Sequence, residues 1–234
     1  DPSKSRGLGD VYKRQTIGGL ILDGGNFDWG GAGADRQPAL NTPDPCYGGV
    51  VWDQQVTKTM GLPFAYLLKL RTTLLRDLGG AMSPFNAWMF IQGLETLPLR
   101  MREHAKNAQA VAEFLENNDK VQSVTYPGLF EGAEREKADK YMKGGYGALI
   151  GFELPGGKEA GSKFIDSLEL LYHVANIGDS RSLAIHPATT THSQLAPEEQ
   201  LSAGVTPGYV RLSIGIEHVD DIIADISQAL DKAS

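Results

Sequence analysis

From residue 120 onward, short apolar stretches alternate with longer segments of helical spacing, and Gly or Pro returns separate them. Val121 to Tyr126 alternates as a strand and stops at Pro127-Gly128. Glu131 to Met142 is charged along its length and predicts a surface helix, Ala148 to Leu154 a strand, and Lys158 to Leu168 a helix. Pro197 to Ala203 predicts a short helix ahead of the run Y-V-R-L-S-I that begins at Tyr209. A strand there puts Val210, Leu212 and Ile214 on one face and Tyr209, Arg211 and Ser213 on the other. His218 to Ala233 then carries Val219, Ile222, Ile223, Ile226 and Leu230 on one side and predicts an amphipathic closing helix. The alternation describes an α/β or α+β domain with a small sheet covered on one face.

Upstream the pattern differs. Thr16 to Gly25 reads T-I-G-G-L-I-L-D-G-G, a nearly continuous apolar run that predicts a strand buried on both faces. Asn26 to Gly49 is rich in Gly, Pro, Asp and Asn and is long enough to be a covering or binding loop. Phe64 to Leu78 has helical spacing and stops at Gly79-Gly80, and Ser83-Pro84 opens the next helix with a cap and an early proline. From Thr96-Leu97-Pro98, a stripe through Leu97, Met101, Ala105, Ala108, Ala112 and Leu115 predicts a helix of about twenty residues. Residues 1–15 have no periodic apolar face and read as a foreign or disordered extension outside the fold.

The 234 residues carry 41% hydrophobic and 22% charged side chains, as in an ordinary globular protein. A net charge of -7 argues against a nucleic-acid partner. The single cysteine, Cys46, permits no intrachain disulfide, and there is no apolar run of membrane-spanning length. A cytoplasmic location is the expectation.

Candidate chemistry concentrates between Ala175 and His192, A-N-I-G-D-S-R-S-L-A-I-H-P-A-T-T-T-H. The Arg211 guanidinium is a planar, always charged fork suited to bidentate capture of a carboxylate; a surface arginine on an edge strand is the bland alternative. Asn176, Gly178 and Ser182 offer turn donors to the same anion, or a turn whose polar groups satisfy only the local backbone. His186 and His192 are six apart, which does not suit a helical metal site, so they read as hydrogen-bonded structural histidines and no metal is expected. Gly18-Gly19 and Gly24-Gly25 lack the spacing of a dinucleotide loop.

Several motifs in collinear order carry a resemblance. They are T-I-G-G-L-I-L-D-G-G-N-F-D-W from Thr16, P-D-P-C-Y from Pro43, R-D-L-G-G-A-M-S-P-F-N-A from Arg76 and Q-G-L-E-T-L-P-L-R-M from Gln92. V-T-Y-P-G-L from Val124, N-I-G-D-S-R-S-L-A-I-H-P-A-T-T-T-H from Asn176 and V-R-L-S-I-G-I-E from Val210 complete the series. Together they resemble the Cys/Met-metabolism family of pyridoxal-phosphate enzymes, on the side of its O-acetylhomoserine sulfhydrylases.

The resemblance implies an α/β fold of fold type I. Residues 16–95 would be the C-terminal remnant of the large cofactor domain, 96–118 a connecting helix, and 119–234 a complete small C-terminal α/β domain. It implies a pyridoxal 5'-phosphate-dependent γ-replacement in which O-acetylhomoserine and sulfide, or a thiol, give homocysteine or methionine and acetate. Cystathionine γ-synthase and methionine γ-lyase relatives are the neighbouring alternatives; a non-catalytic amino-acid-binding or oligomerisation module is the alternative of another class. Arg211 matches the arginine that holds the substrate α-carboxylate, with Asn176 and Ser182 beside it, and a homo-oligomer, a tetramer when intact, is implied. In the family the Schiff-base lysine lies in an S-A-T-K motif about eight residues before the position of Thr16. Leu8 stands near that place, and neither Lys4 nor Lys13 follows S-A-T. The chain is therefore expected to be a C-terminal fragment without the catalytic lysine, inactive by itself.

Overall fold

A computed structural model describes residues 16–234, which form two compact units, 16–90 and 91–234. The extension expected at residues 1–15, with Lys4, Leu8 and Lys13, lies outside the described residues.

The first unit has a small aromatic core. Leu40, Trp52, Val56 and Ala65 are buried, and Trp29, Tyr47, Phe64 and Tyr66 pack around them. Helix α1 (Trp52–Met60) supplies Trp52 and Val56 from one face. Helix α2 (Ala65–Lys69) continues into a wider π-helical stretch, Leu70–Asp77. The Thr72 and Thr73 hydroxyls donate to the carbonyls of Leu68 and Lys69 at 2.9 and 2.7 Å, competing with the regular backbone ladder where it widens. Asp44, in the P-D-P-C-Y motif, ties the unit together. Its carboxylate accepts from Trp52 Nε1 at 2.8 Å, Lys69 Nζ at 2.7 Å and the Cys46 amide at 3.0 Å. The lysine bond, then the indole bond, hold its pKa below the ordinary carboxylate value.

The strand expected at Thr16 to Leu22 does not form. The segment is irregular, and Ile17, Leu20 and Leu22 are exposed. An apolar run becomes a strand only where a neighbour pairs its N–H and C=O groups, and all five strands of the sheet lie beyond residue 122. Helix α3 (Pro84–Glu95) carries the boundary between the two units at Phe90 and Ile91.

The second unit opens with α4 (Leu97–Glu116). Its buried side is His104, Asn107, Ala108, Val111, Ala112 and Leu115, a three-four spacing. The expected stripe is right from Ala108 onward; Met101 is exposed and its turn is replaced inside by two polar residues. Next come β1 (Ser123–Thr125), α5 (Gly132–Tyr141), β2 (Leu149–Glu153), α6 (Gly157–Ser167), β3 (Tyr172–His173), β4 (Leu183–Ile185), α7 (Pro197–Ser202), β5 (Tyr209–Ser213) and α8 (Val219–Ala233). The elements are those of a mixed α/β protein.

The sheet runs β1-β2-β5-β4-β3, antiparallel except for the β3/β4 pair. Opposed residues on paired strands share a face. Ile150 opposite Leu212, Phe152 opposite Val210 and Ala184 opposite Leu212 define the core face, which joins Val111, Leu115, Phe164, Ile222 and Ile226 of α4, α6 and α8. The other face carries Gly151, Arg211 and Ile185 in one row. Asp225 of α8 fixes the approach to β3, accepting the amides of Glu169, Leu170 and Leu171 at 2.8 to 2.9 Å.

Candidate functional site

Strand β5 places Arg211 by simple alternation. Val210 and Leu212 are fully buried in the core, so the residue between them must project from the opposite face. Gly151, directly opposite on β2, has no side chain and is covered by the Tyr209 ring, and buried Ile185 of β4 lies on the other side. The guanidinium is half-buried. Burial pushes its pKa below the ordinary arginine value, with Tyr209 acting the opposite way, and it remains a cation at any relevant pH.

Arg211 is also short of partners. Its Nη2 donates to the Asn176 carbonyl at 3.4 Å, while its buried Nε has no hydrogen-bond partner among the described residues. A desolvated cation with an unmet donor is out of balance unless an anion joins it. A carboxylate supplies two acceptors in the plane that a guanidinium fork requires.

The loop 176–182 lies along β5 and its continuation. After the Asn176 contact, the Gly178 amide donates to Ser213 Oγ at 3.3 Å, and the Ile216 amide donates to the Ser180 carbonyl at 2.9 Å. Ser182 closes the series. Its amide and hydroxyl donate to the two carboxylate oxygens of Glu217 at 2.7 and 3.0 Å, and its Oγ accepts from the Gly215 amide at 2.8 Å. The structure thus brings Arg211 and Asn176 together, whereas the fully buried Ser182 hydroxyl faces Glu217 and Gly215.

The remaining polar residues of the 175–192 stretch serve local structure. His186 is buried, with Nε2 against the Pro207 carbonyl at 2.8 Å and Nδ1 against Thr189 Oγ1 at 2.9 Å. A carbonyl only accepts, so Nε2 carries the proton. Burial lowers the His186 pKa, and the Pro207 bond partly offsets this. His192 Nδ1 lies 2.9 Å from Thr191 Oγ1. Among the described residues no group of three His, Cys, Asp or Glu side chains stands close enough to hold a metal ion.

Three supporting residues escaped the reading of the sequence. His104 Nδ1 donates to the Ile214 carbonyl at 2.6 Å, and Asn107 Nδ2 donates to the carbonyls of Gly215 and Glu217 at 3.2 and 2.9 Å. Both lie on the buried side of α4 and clamp the turn that follows β5, where Glu217 is the third. Two polar residues one helical turn apart inside an apolar stripe were the available signal.

A pyridoxal phosphate anchor needs a desolvated lysine free of other partners. No described lysine is buried. Lys69, with 22% of its side chain exposed, is ion-paired to Asp44 at 2.7 Å. Lys106, Lys120 and Lys232 are paired with Glu103, Asp231 and Glu169. The described residues therefore suit an amino-acid carboxylate and do not suit the cofactor's Schiff base.

The family model described as Cys/Met metabolism PLP-dependent enzyme matches residues 13–231. An O-acetyl-L-homoserine sulfhydrylase of Leptospira meyeri is 52% identical over 219 residues, covering 92% of this chain and 49% of the relative. A homocysteine synthase of Schizosaccharomyces pombe is 48% identical over 218 residues, with coverages of 93% and 49%. A solved Campylobacter jejuni structure, described as a candidate O-acetylhomoserine (thiol)-lyase with a pyridoxyl-lysine monophosphate, superposes with a TM-score of 0.72 at 43% identity. It covers 84% of this chain and 45% of that one. The chain spans about half the length of the curated relatives it matches.

Proposed function

The chain belongs to the Cys/Met metabolism PLP-dependent enzymes, and from that premise we propose that it is the substrate-carboxylate-binding part of an O-acetylhomoserine sulfhydrylase. Arg211 binds the α-carboxylate of O-acetylhomoserine through its guanidinium fork, and the Asn176 carbonyl fixes the plane of that fork. The observation that carries this reading is the buried Nε of Arg211, without a hydrogen-bond partner among the described residues, beside an Nη2 already oriented by Asn176.

Residues 16–95 are assigned to the cofactor domain, 96–118 to the connecting helix and 119–234 to the small domain. In the whole protein, pyridoxal phosphate supplies an electron sink for the γ-replacement of acetate by sulfide or a thiol. No step of that chemistry is assigned to the described residues, because none of their lysines fits the anchor. Their contribution is to hold the substrate by a group remote from the leaving acetate, which converts binding into orientation. We further propose a homo-oligomeric, cytoplasmic protein, as the family resemblance implies; among the described residues no helix is long and apolar enough to cross a membrane.

The test uses the 234-residue chain, labelled at arginine, in an NMR titration with O-acetyl-L-homoserine. A saturable shift of the Arg211 Nε–H resonance, absent when the carboxylate is blocked as the amide, is expected. Equal responses to the acid and the amide, or none to either, would remove Arg211 from the site.

A further inference from the structure

Glu217 is not among the residues that the sequence motifs single out as touching substrate, yet it is bonded both to the end of the loop that carries Asn176 and to α4. Its two carboxylate oxygens accept from the amide and the hydroxyl of Ser182. Its backbone carbonyl accepts from Asn107 of α4. The same asparagine also bonds the Gly215 carbonyl, and the Ser182 hydroxyl bonds the Gly215 amide. Gly215 sits so close beneath the loop that a Cβ there would overlap the Arg181 and Ser180 backbone and the Glu217 carboxylate. The turn 214–217 and the loop end at 180–182 are therefore a single hydrogen-bonded block, fastened to α4.

The other end of that loop is Asn176, whose carbonyl is the one hydrogen-bond partner found for the Arg211 guanidinium among the described residues. Between the two ends the loop is held to β5 at Gly178 and to its continuation at Ser180. Contacts at 176, 178, 180 and 182 recur every second residue, so the register of the whole loop over the strand is set by where it is fastened. The 3.4 Å bond at Arg211 is the longest of these contacts, and the Ser182–Glu217 bonds, which involve a carboxylate, are the strongest class present.

We infer that Glu217 is a positioning residue for the carboxylate site: by pinning Ser182 it sets the register of the 176–182 loop, and so the placement of the Asn176 carbonyl that orients Arg211. This rests on the reading of Arg211 as the carboxylate-binding residue. It also gives Ser182 a different part from a direct substrate contact, since Ser182 acts through Glu217. A charged side chain is suited to the task because two short bonds to one carboxylate fix both the position and the rotation of the loop end.

The experiment compares O-acetyl-L-homoserine titrations, read at Arg211 Nε–H, for wild type, Glu217→Gln, Ser182→Ala and the double variant, with hydrogen exchange of the Gly178 amide. Glu217→Gln keeps the size but presents a donor where Ser182 needs an acceptor. The dissociation constant should rise about tenfold in each single variant, as for other lost supporting contacts. In the double variant it should rise by less than the product of the two single effects, because both changes act on the Ser182–Glu217 link. Gly178 exchange should quicken in parallel. Asp139→Asn, which weakens the bonds of α5 to Arg135 and Tyr146 away from this loop, should leave the dissociation constant unchanged and so excludes a general loss of stability. If Glu217→Gln is too unstable to purify, Glu217→Asp keeps the charge but cannot reach both Ser182 groups, and the same rise is expected. Wild-type affinity and Gly178 exchange in the Glu217 variants, with binding abolished in Arg211→Met, would overturn this inference and leave the carboxylate site standing. No carboxylate-dependent shift in wild type would instead overturn the site itself, and the inference with it.

Discussion

The ring of Tyr209 lies over Gly151, and a side chain at 151 would run into the tyrosine hydroxyl and into Cε2 and Cζ, each 2.7 Å from an added Cβ. Gly151 is the residue directly across from Arg211 on the neighbouring strand. The absence of a side chain at one position therefore shapes the wall beside the guanidinium, by letting an aromatic ring two residues along β5 fold back over the gap. The hydroxyl is itself desolvated, which raises its pKa, while the nearby Arg211 charge works in the other direction.

Gly151→Ala is expected to displace the Tyr209 ring and to destabilise the protein by about 1–3 kcal/mol, the usual cost of overfilling a packed site. Urea unfolding gives the magnitude. Arg211 Nε–H and the Tyr209 ring resonances should move together; movement of neither would mean that the ring accommodates the methyl group without consequence for the site.

Protonation of His186 supplies a pH test. Its folded-state pKa lies below the ordinary value of 6.5 because burial penalises the cation. The unfolded chain then binds the proton more readily than the folded one, so stability rises with pH across the window just below 6.5 and is lost as pH falls through it. Glu153 acts to raise the His186 pKa, whereas Lys158 and His173 act to lower it. In urea titrations at pH 7.5 and pH 5, His186→Gln should show a smaller drop in stability than wild type. An equal drop would assign the pH dependence to other groups.

The sequence disclosed the strand at Tyr209 through Ser213 and the direction of Arg211 because alternation alone decides which face a side chain takes once one face is buried. It also disclosed α4, α6 and α8, whose apolar positions recur at helical spacing. Other parts needed tertiary information. The run at Thr16 is as apolar as a buried strand, but pairing rather than composition makes a strand. Leu183 to Ile185 forms an inner strand within the 175–192 stretch where candidate chemistry concentrated; Thr189 and Thr190 in fact bond back to the His186 carbonyl, at 3.2 and 2.8 Å. His104, Asn107 and Glu217 were illegible as a group because they come from places more than a hundred residues apart and meet only when α4 packs against the turn after β5.

Asp225 gives a stability prediction. Its carboxylate is buried and accepts three consecutive amides as well as Gln228 Nε2 at 2.9 Å. Asp225→Asn replaces a charged acceptor by an amide that must turn a donor towards one of those N–H groups. The expected loss is about 2 kcal/mol, in the range of hydrogen bonds to charged groups. It should be read from the urea midpoint, with quicker exchange at Leu170 and Leu171. Unchanged exchange at those two amides would show that the nest does not depend on charge.

Arg211→Met separates binding from folding most sharply. Methionine fills a similar volume without a charge to desolvate, and among the described residues the guanidinium it replaces has no partner for its Nε and one long bond to Asn176. Folding stability should therefore stay within about 1 kcal/mol of wild type or rise, as is common where a residue is kept for function. Carboxylate-dependent binding of O-acetyl-L-homoserine should vanish. Arg211→Lys retains the charge but loses the fork, so it should recover attraction without the planar, two-point contact. In a protein of the relatives' full length carrying these residues, Arg211→Ala should raise KM strongly and reduce kcat/KM by about 2–5 kcal/mol, as for the loss of one partner of a buried charged pair. A stable Arg211→Met protein with undiminished binding would show that the desolvated cation serves the sheet and not the substrate.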